Sequence, residues 1–248
     1  MTMTSPQQDN QDLRDQFAEM AALAGGLAHE IKNPLSTIRL NMDLLAEDFD
    51  QADGPRERRA LTKIATVQRE CQRLEVLLND FLRFARARQL RLEPADLNKQ
   101  IERTLGFFAP QAAESQIEII RYLDPSLPSV QIDREAFHGT VLNLLLNAQQ
   151  AMPGGGQLVV RTRISPGGVA LDLIDTGGGM DDKTQSHIFE TFYSTKPGGS
   201  GLGLPTARKV VEAHSGRISV QSEVGRGTKF TIELPVPKRL MGTVGGHF

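Results

Sequence analysis

His29 and Asn33 stand four residues apart, the spacing at which two side chains on a helix face the same way. On a wheel of about 100° per residue with Leu27 at zero, Ile31, Leu35, Ile38, Met42 and Leu45 fall within about 80°, while His29 falls at about 200°. The histidine therefore points away from the apolar stripe. Asn33 lies about 40° from it, so an imidazole and an amide can meet one solvent molecule or one incoming group together. Glu30 follows directly, a carboxylate able to accept a ring N–H and raise the nucleophilicity of the other nitrogen. The chemistry available is nucleophilic attack by an exposed imidazole. Alone, such a histidine is an ordinary surface residue. Pro34 sharpens the case, because a mid-helix proline costs about 3 kcal/mol unless a bend is wanted, although Asn33 could also serve to satisfy a carbonyl freed by that bend.

A second set of candidates lies past residue 140. Asn143 and Asn147 again stand four apart, inside an otherwise apolar helix. An amide oxygen there can ligate Mg²⁺ held also by phosphate oxygens, and a buried amide needs a partner; on a solvated face the pair would be decoration. Asp175-Thr-Gly177-Gly-Gly179 follows the apolar run Val169 to Ile174. A carboxylate at a strand end can accept from the exocyclic amine of adenine, with glycines letting the backbone approach the base; taken alone, the segment is a glycine-rich turn. Gly199-Ser-Gly201-Leu202-Gly203 precedes a helix beginning near Pro205, and its N–H groups suit phosphate. It has neither Rossmann spacing nor the Gly-Lys-Ser/Thr of a Walker loop. Between the loops, Phe189-Glu-Thr-Phe192-Tyr-Ser-Thr-Lys196 is anchored by aromatics and ends in a cation able to reach a γ-phosphate. It is a surface loop pinned by Phe189 and Phe192, or a lid over a nucleotide, and the two readings are compatible.

The elements that must carry these groups fall into two halves. From about Leu13 to Leu90 apolar residues recur at helical spacing, with only two glycine-containing breaks, at Gly25-Gly26 and Asp53-Gly54-Pro55. Leu61, Ile64, Val67, Cys71, Leu74, Leu78, Phe81 and Phe84 form the second stripe. Two helices of roughly 45 to 55 Å leave apolar surface uncovered, which dimerisation into a four-helix bundle would cover; packing against the chain's own second half is the alternative. Past Glu93-Pro94 the elements shorten. Helical patterns run near Asp96 to Ser115, Arg134 to Met152 and Pro205 to His214, and strand-like runs cover Ile117 to Arg121, Leu158 to Ile164, Val169 to Ile174, Arg217 to Ser222 and Lys229 to Leu234. The fold class expected is α+β: a long helical hairpin over 13–91, then an α/β sandwich over 94–236, one mixed sheet covered on one face, with flexible tails at 1–12 and 237–248.

Composition narrows the function. The 248 residues carry 28 basic and 30 acidic side chains, a formal charge of -2, which gives no field for a nucleic-acid backbone or an anionic membrane. One cysteine forms no internal disulfide and suits a reducing, cytoplasmic compartment, with Cys71 a small buried apolar residue. No run reaches the roughly 18 to 20 apolar residues of a membrane span, and the polar first dozen residues are no signal peptide.

The string His29-Glu30-Ile31-Lys32-Asn33-Pro34-Leu35 resembles the phosphoacceptor box of sensor histidine kinases. The later segments, in order, resemble the N, G1, F and G2 boxes of their catalytic domain, and Gly225-Arg-Gly227-Thr228 resembles its terminal glycine box. The Phe-Tyr-Ser-Thr-Lys form of the lid is similar to the nitrogen-regulation subgroup. The resemblance implies a HisKA-type dimerisation hairpin and a Bergerat/GHKL ATP-binding sandwich. It implies that His29 receives the γ-phosphoryl group of ATP with Glu30 as its base, and that Asn33 helps dephosphorylate a response-regulator receiver domain. It places Asn147 on Mg²⁺ and Asp175 on adenine, with Asn143, Gly177, Gly179, Lys196, Gly199, Gly201, Leu202, Gly203 and Thr228 about the nucleotide. Where many members carry Lys or Arg three residues after the Mg²⁺ asparagine, Gln150 stands here, which moves charge duty toward Lys196.

Two other functions compete. ATP hydrolases of the gyrase or chaperone kind use a glutamate to activate water where Asn143 stands, and an amide is no base. A dimeric scaffold with a vestigial kinase half would have lost the nucleophile or metal ligand, yet His29, Asn147 and Asp175 are present. Fewer than about twenty residues precede the first helix, too few for a sensor domain, so the signal comes from a separate sensor protein or the chain is a fragment.

Overall fold

A computed structural model describes residues 31–49, 54–86, 90–196 and 199–236. They fall into two compact units: one holds the helices up to Arg86 together with Lys196–Ser200, the other runs from Ala87 to Thr195 and resumes at Gly201.

In the first unit, helix α1 is formed by residues 31–48 and α2 by Pro55–Arg86. Pro55 opens α2, where its missing N–H is harmless, and neither Gly nor Pro recurs before Arg86. The helices run antiparallel: Gln68 Nε2 donates to Asp43 Oδ1 at 2.7 Å and Arg39 pairs with Glu75 at 3.4 Å. Between them Leu35, Ile64 and Cys71 are buried. Much of the remaining stripe is left uncovered by the described residues: Ile31, Ile38, Leu45, Val67, Leu74 and Phe81 stay exposed.

The second unit contains β1 (Glu93–Ala95), α3 (Leu97–Glu114), β2 (Ile117–Tyr122), β3 (Val130–Ile132), α4 (Arg134–Ala151), β4 (Gly156–Ser165), β5 (Gly168–Asp175), α5 (Asp182–His187), α6 (Gly203–Ala213), β6 (Arg217–Glu223) and β7 (Gly227–Pro235). The main sheet has the order β2-β4-β5-β7-β6, with β2 and β4 parallel and the other pairs antiparallel. This is the mixed sheet of the α+β expectation. Alternation sends Leu158, Val160, Leu171, Leu173, Phe230 and Ile232 into one core with Leu105, Phe108, Val141 and Leu145 of the helices. On the opposite face Asp172 is fully buried, held by Arg161, Arg163, Lys229 and the Thr231 hydroxyl. Burial pushes its carboxyl up, and those partners together outweigh burial and hold it below the usual carboxylate range. The small β1–β3 sheet and α5 were not expected. Among the described residues no helix is long and apolar enough to cross a membrane.

Helix α4 is anchored at its start. Asp133 caps it, Oδ1 accepting from Ala136 N at 3.0 Å, while its own N–H donates to His214 Nε2 at 2.9 Å. His214 Nδ1 in turn donates to Val210 O at 2.7 Å, so a neutral imidazole joins the end of α6 to the start of α4. Burial pushes this imidazole below the ordinary histidine range, against the opposing pull of the Val210 carbonyl and of Asp133. Below pH of about 6.5 the unfolded chain takes up a proton that the folded chain refuses. The stabilisation is complete above that pH and is lost as pH falls from there through the lowered folded value. Melting temperatures from pH 7.5 to 5 should therefore fall more steeply for the parent than for His214→Leu; parallel curves would contradict the neutral assignment.

Candidate nucleotide site and phosphoacceptor

Asp175 is the last residue of β5, in register with Leu158 on one side and Thr228 on the other. Its Oδ1 accepts from Gly177 N at 2.9 Å and from Thr228 N at 3.2 Å, which fixes the carboxylate on the helix-facing side of the sheet. The loop that follows leaves no room for side chains at two of its glycines. A Cβ on Gly177 would lie 2.6 Å from Ala151 O at the end of α4. Gly179 has φ 67°, and a Cβ there would strike the Glu223 carbonyl. Gly178 N donates to Ala151 O and Gly178 O accepts from Gly225 N, so the loop is clamped between α4 and the β6–β7 turn.

Helix α4 carries the other end of the site. Asn143, Asn147 and Ala151 succeed one another at single-turn spacing along one face. Ala151 meets Gly177, while Asn143 meets Gly203 at the start of α6, where a Cβ would lie 2.6 Å from Asn143 Oδ1. At about 1.5 Å per residue these points are about 12 Å apart, the scale of an extended nucleotide. Asn143 Nδ2 is buried with no hydrogen-bond partner, a donor that a phosphate oxygen at the α6 N-terminus would satisfy. Leu202 caps α6 without a side-chain hydrogen bond. The residues present thus fit a nucleotide.

The segment Phe189 to Lys196 departs from expectation in its anchors. Phe189 packs on the core with the Arg208 guanidinium 5.7 Å above its ring, but Phe192 is 73 % exposed. Tyr193 is the second anchor, packed on the core and 5.5 Å from the His187 ring. Phe192 contributes backbone instead: its N–H donates to Gly201 O at 3.0 Å, and Gly201, at φ 64°, lies too close to it for any Cβ. Lys196 and Gly199 group with the helical unit, where Gly199 N donates to Lys196 O and Ser200 Oγ to Asp80 Oδ2 at 2.7 Å. The α/β unit by itself therefore assembles Asn143, Asn147, Asp175, Gly177, Gly179, Gly201, Leu202, Gly203 and Thr228, and neither Lys196 nor Gly199. His29 and Glu30 lie outside the described residues. Asn33 is exposed on α1, its carbonyl accepting from Thr37 Oγ1 at 3.1 Å.

Residues 19–90 match the His Kinase A (phospho-acceptor) domain, and residues 132–238 match the histidine kinase-, DNA gyrase B- and HSP90-like ATPases. The chain belongs to the sensor histidine kinases. It is 32% identical over 223 residues to the signal transduction histidine-protein kinase AtoS of Escherichia coli K12, covering 90% of this chain and 36% of AtoS. It is 33% identical over 229 residues to the sensor histidine kinase ZraS of the same strain, covering 92% of this chain and 48% of ZraS. The crystal structure of full-length ShkA with AMPPNP superposes with a TM-score of 0.69 at 28% identity, over 86% of this chain and 45% of that one. The chain spans half or less of the length of these curated relatives.

Sequence reasoning missed Gln185 and Ser222, which brace the glycine loop. Gln185 Nε2 donates to Met180 O and Ser222 O, and its Oε1 accepts from Ser222 N. Asp181, three residues before Thr184 and accepting from its N–H at 2.7 Å, was the available sign of helix α5.

The glycine loop makes a contrast between neighbours. Gly179→Ala should destabilise the protein by about 1 to 3 kcal/mol, from left-handed backbone alone, and more from the collision with Glu223. A Cβ on Gly178 meets nothing within 4 Å, so Gly178→Ala should stay within about 0.5 kcal/mol of the parent. Denaturant unfolding of the two variants decides, and equal losses would contradict the clamped geometry.

Proposed function

We propose that this kinase phosphorylates its own His29 from ATP and passes the group to an aspartate of a response-regulator receiver domain. The observation that carries this reading is the partnerless buried Asn143 amide at the start of α6, one end of a nucleotide-sized cradle whose other end is Asp175. In this reading Asp175 and Thr228 take the adenine, Gly177 and Gly179 admit the base, and Asn143, Gly201, Leu202 and Gly203 take the phosphates. Lys196 and Gly199 join them from the lid. Asn147 holds Mg²⁺, which when bound neutralises phosphate charge. Glu30 orients the His29 ring and receives its proton, and the imidazole nitrogen left free attacks the γ-phosphorus, ADP leaving. The exposed apolar residues of α1 and α2 support a homodimer, whose second hairpin would cover them. Input from a separate sensor protein and a cytoplasmic location complete the reading.

Incubation with γ-labelled ATP and Mg²⁺ tests it. Label should be lost in acid, kept in alkali and absent from His29→Gln, with ATP affinity of that variant within a few-fold of the parent. Mixing His29→Gln with Asn147→Ala should restore label if subunits exchange and transfer runs between them. Absence of acid-labile label from the parent chain in every condition would end the kinase reading.

Asn33 belongs to the reverse reaction. Its amide, one turn from His29, can hold a water in line with a phosphoaspartate docked on the helix, and autophosphorylation does not call on it. Asn33→Ala should keep autokinase activity and slow dephosphorylation of the regulator. Equal loss of both rates with a lowered melting temperature would assign Asn33 a structural role at Pro34 instead.

A further inference from the structure

Asp175, Thr228 and Ser222 stand side by side on the helix-facing side of the sheet, Asp175 in register with Thr228 and Thr228 with Ser222. A hydroxyl has one proton to give and two lone pairs with which to accept. At Ser222 all three are committed. Oγ lies 2.9 Å from the Gly227 carbonyl oxygen, which can only accept, so the proton goes there. The Met180 amide, 2.9 Å away, can only donate and occupies one lone pair. The remaining contact, 2.9 Å to Thr228 Oγ1, then has a single direction: Thr228 donates and Ser222 accepts. Thr228 is buried and has no second proton, so its hydroxyl offers only lone pairs to anything else. Gln185 holds the Ser222 backbone N–H and carbonyl at 3.1 and 3.0 Å and the Met180 carbonyl at 3.2 Å, which fixes the backbone that carries the Ser222 hydroxyl and the Met180 amide.

We propose that Ser222 is a specificity-determining positioning residue for the base: by drawing off the Thr228 proton, it makes Thr228 a pure acceptor beside the acceptor carboxylate of Asp175. An edge of the site lined with lone pairs fits a 6-aminopurine, whose amine donates directly or through a water. It opposes a 6-oxopurine, whose oxygen at that point meets no donor. The inference rests on the assignment of Asp175 and Thr228 to the base.

The test is equilibrium binding of ATP and of GTP to the full chain, read as the ratio of the two affinities. Ser222→Ala leaves the Thr228 proton free to turn toward a carbonyl oxygen, and the ATP:GTP ratio should fall about three- to tenfold, the size of one net hydrogen bond. Ser222→Thr keeps the acceptor and should keep the ratio. In a Thr228→Val background, Ser222→Ala should change the ratio no further, since it acts through that hydroxyl. Equal weakening of both nucleotides by Ser222→Ala, or a shift that persists in the Thr228→Val background, would overturn the proposal. Should Ser222→Ala fail to fold, Ser222→Cys, a weak donor and acceptor, reads the same ratio with the same expected fall. A parent chain that binds ATP and GTP equally, or a ratio untouched by Asp175→Ala, would instead bring down the underlying base assignment.

Discussion

The close approach of helix α4 to its neighbours is the constraint on which the α/β unit depends. One face of that helix meets the start of α6 at Asn143 and the glycine loop at Ala151, and at both points a neighbouring Cβ has no room. Gly203 and Gly177 are therefore dictated by packing before any ligand is considered. The consequence is a cradle whose length follows from helix rise alone, about 12 Å between the two contacts. The far end of α4 is secured by the Asp133–His214 bond, and the packing of α4 with α6 is thereby set from both ends.

The two faces of the sheet solve opposite problems. On the helix side, alternation builds an apolar core, interrupted at Thr162, whose hydroxyl bonds Asn98 of α3, and closed at one end by the polar row Asp175, Thr228 and Ser222. On the other side Asp172 carries a buried charge that is tolerated because three cations and a hydroxyl surround it. This explains why β5 reads as a near-continuous buried run despite having helices on one side only: Ala170 is small and Asp172 is covered by long side chains whose stems lie along the sheet.

The main sheet was legible because its strands are long, β-branched and bounded by Gly or Pro; each begins within about two residues of its expected start. The β1–β3 pair was not, since three-residue strands show no period and Pro94 argues against a ladder except at an edge. Helix α5 was too short for a helical stripe. At the site, the charged and glycine-rich segments announced themselves by type and spacing. Gln185 and Ser222 did not, because neutral amides and hydroxyls occur everywhere and only three-dimensional proximity gives these two a task. Phe192 misled for a related reason: an aromatic residue suggests a buried ring, and here its backbone bonds Gly201 while Tyr193 supplies the anchor.

The identity of Asn143 bears on what kind of ATP chemistry this unit can support. A carboxylate at this place could take a proton from water, whereas an amide can only offer N–H and a carbonyl oxygen. Its donor is buried and partnerless, which suits a phosphate oxygen and gives no route to a hydroxide. Under the proposed function the nucleophile is brought by the imidazole of the helical half, so turnover is gated by encounter with the phosphoacceptor helix rather than by access of solvent. Under the same proposal the Asn143 amide, being no base, activates no water against bound ATP.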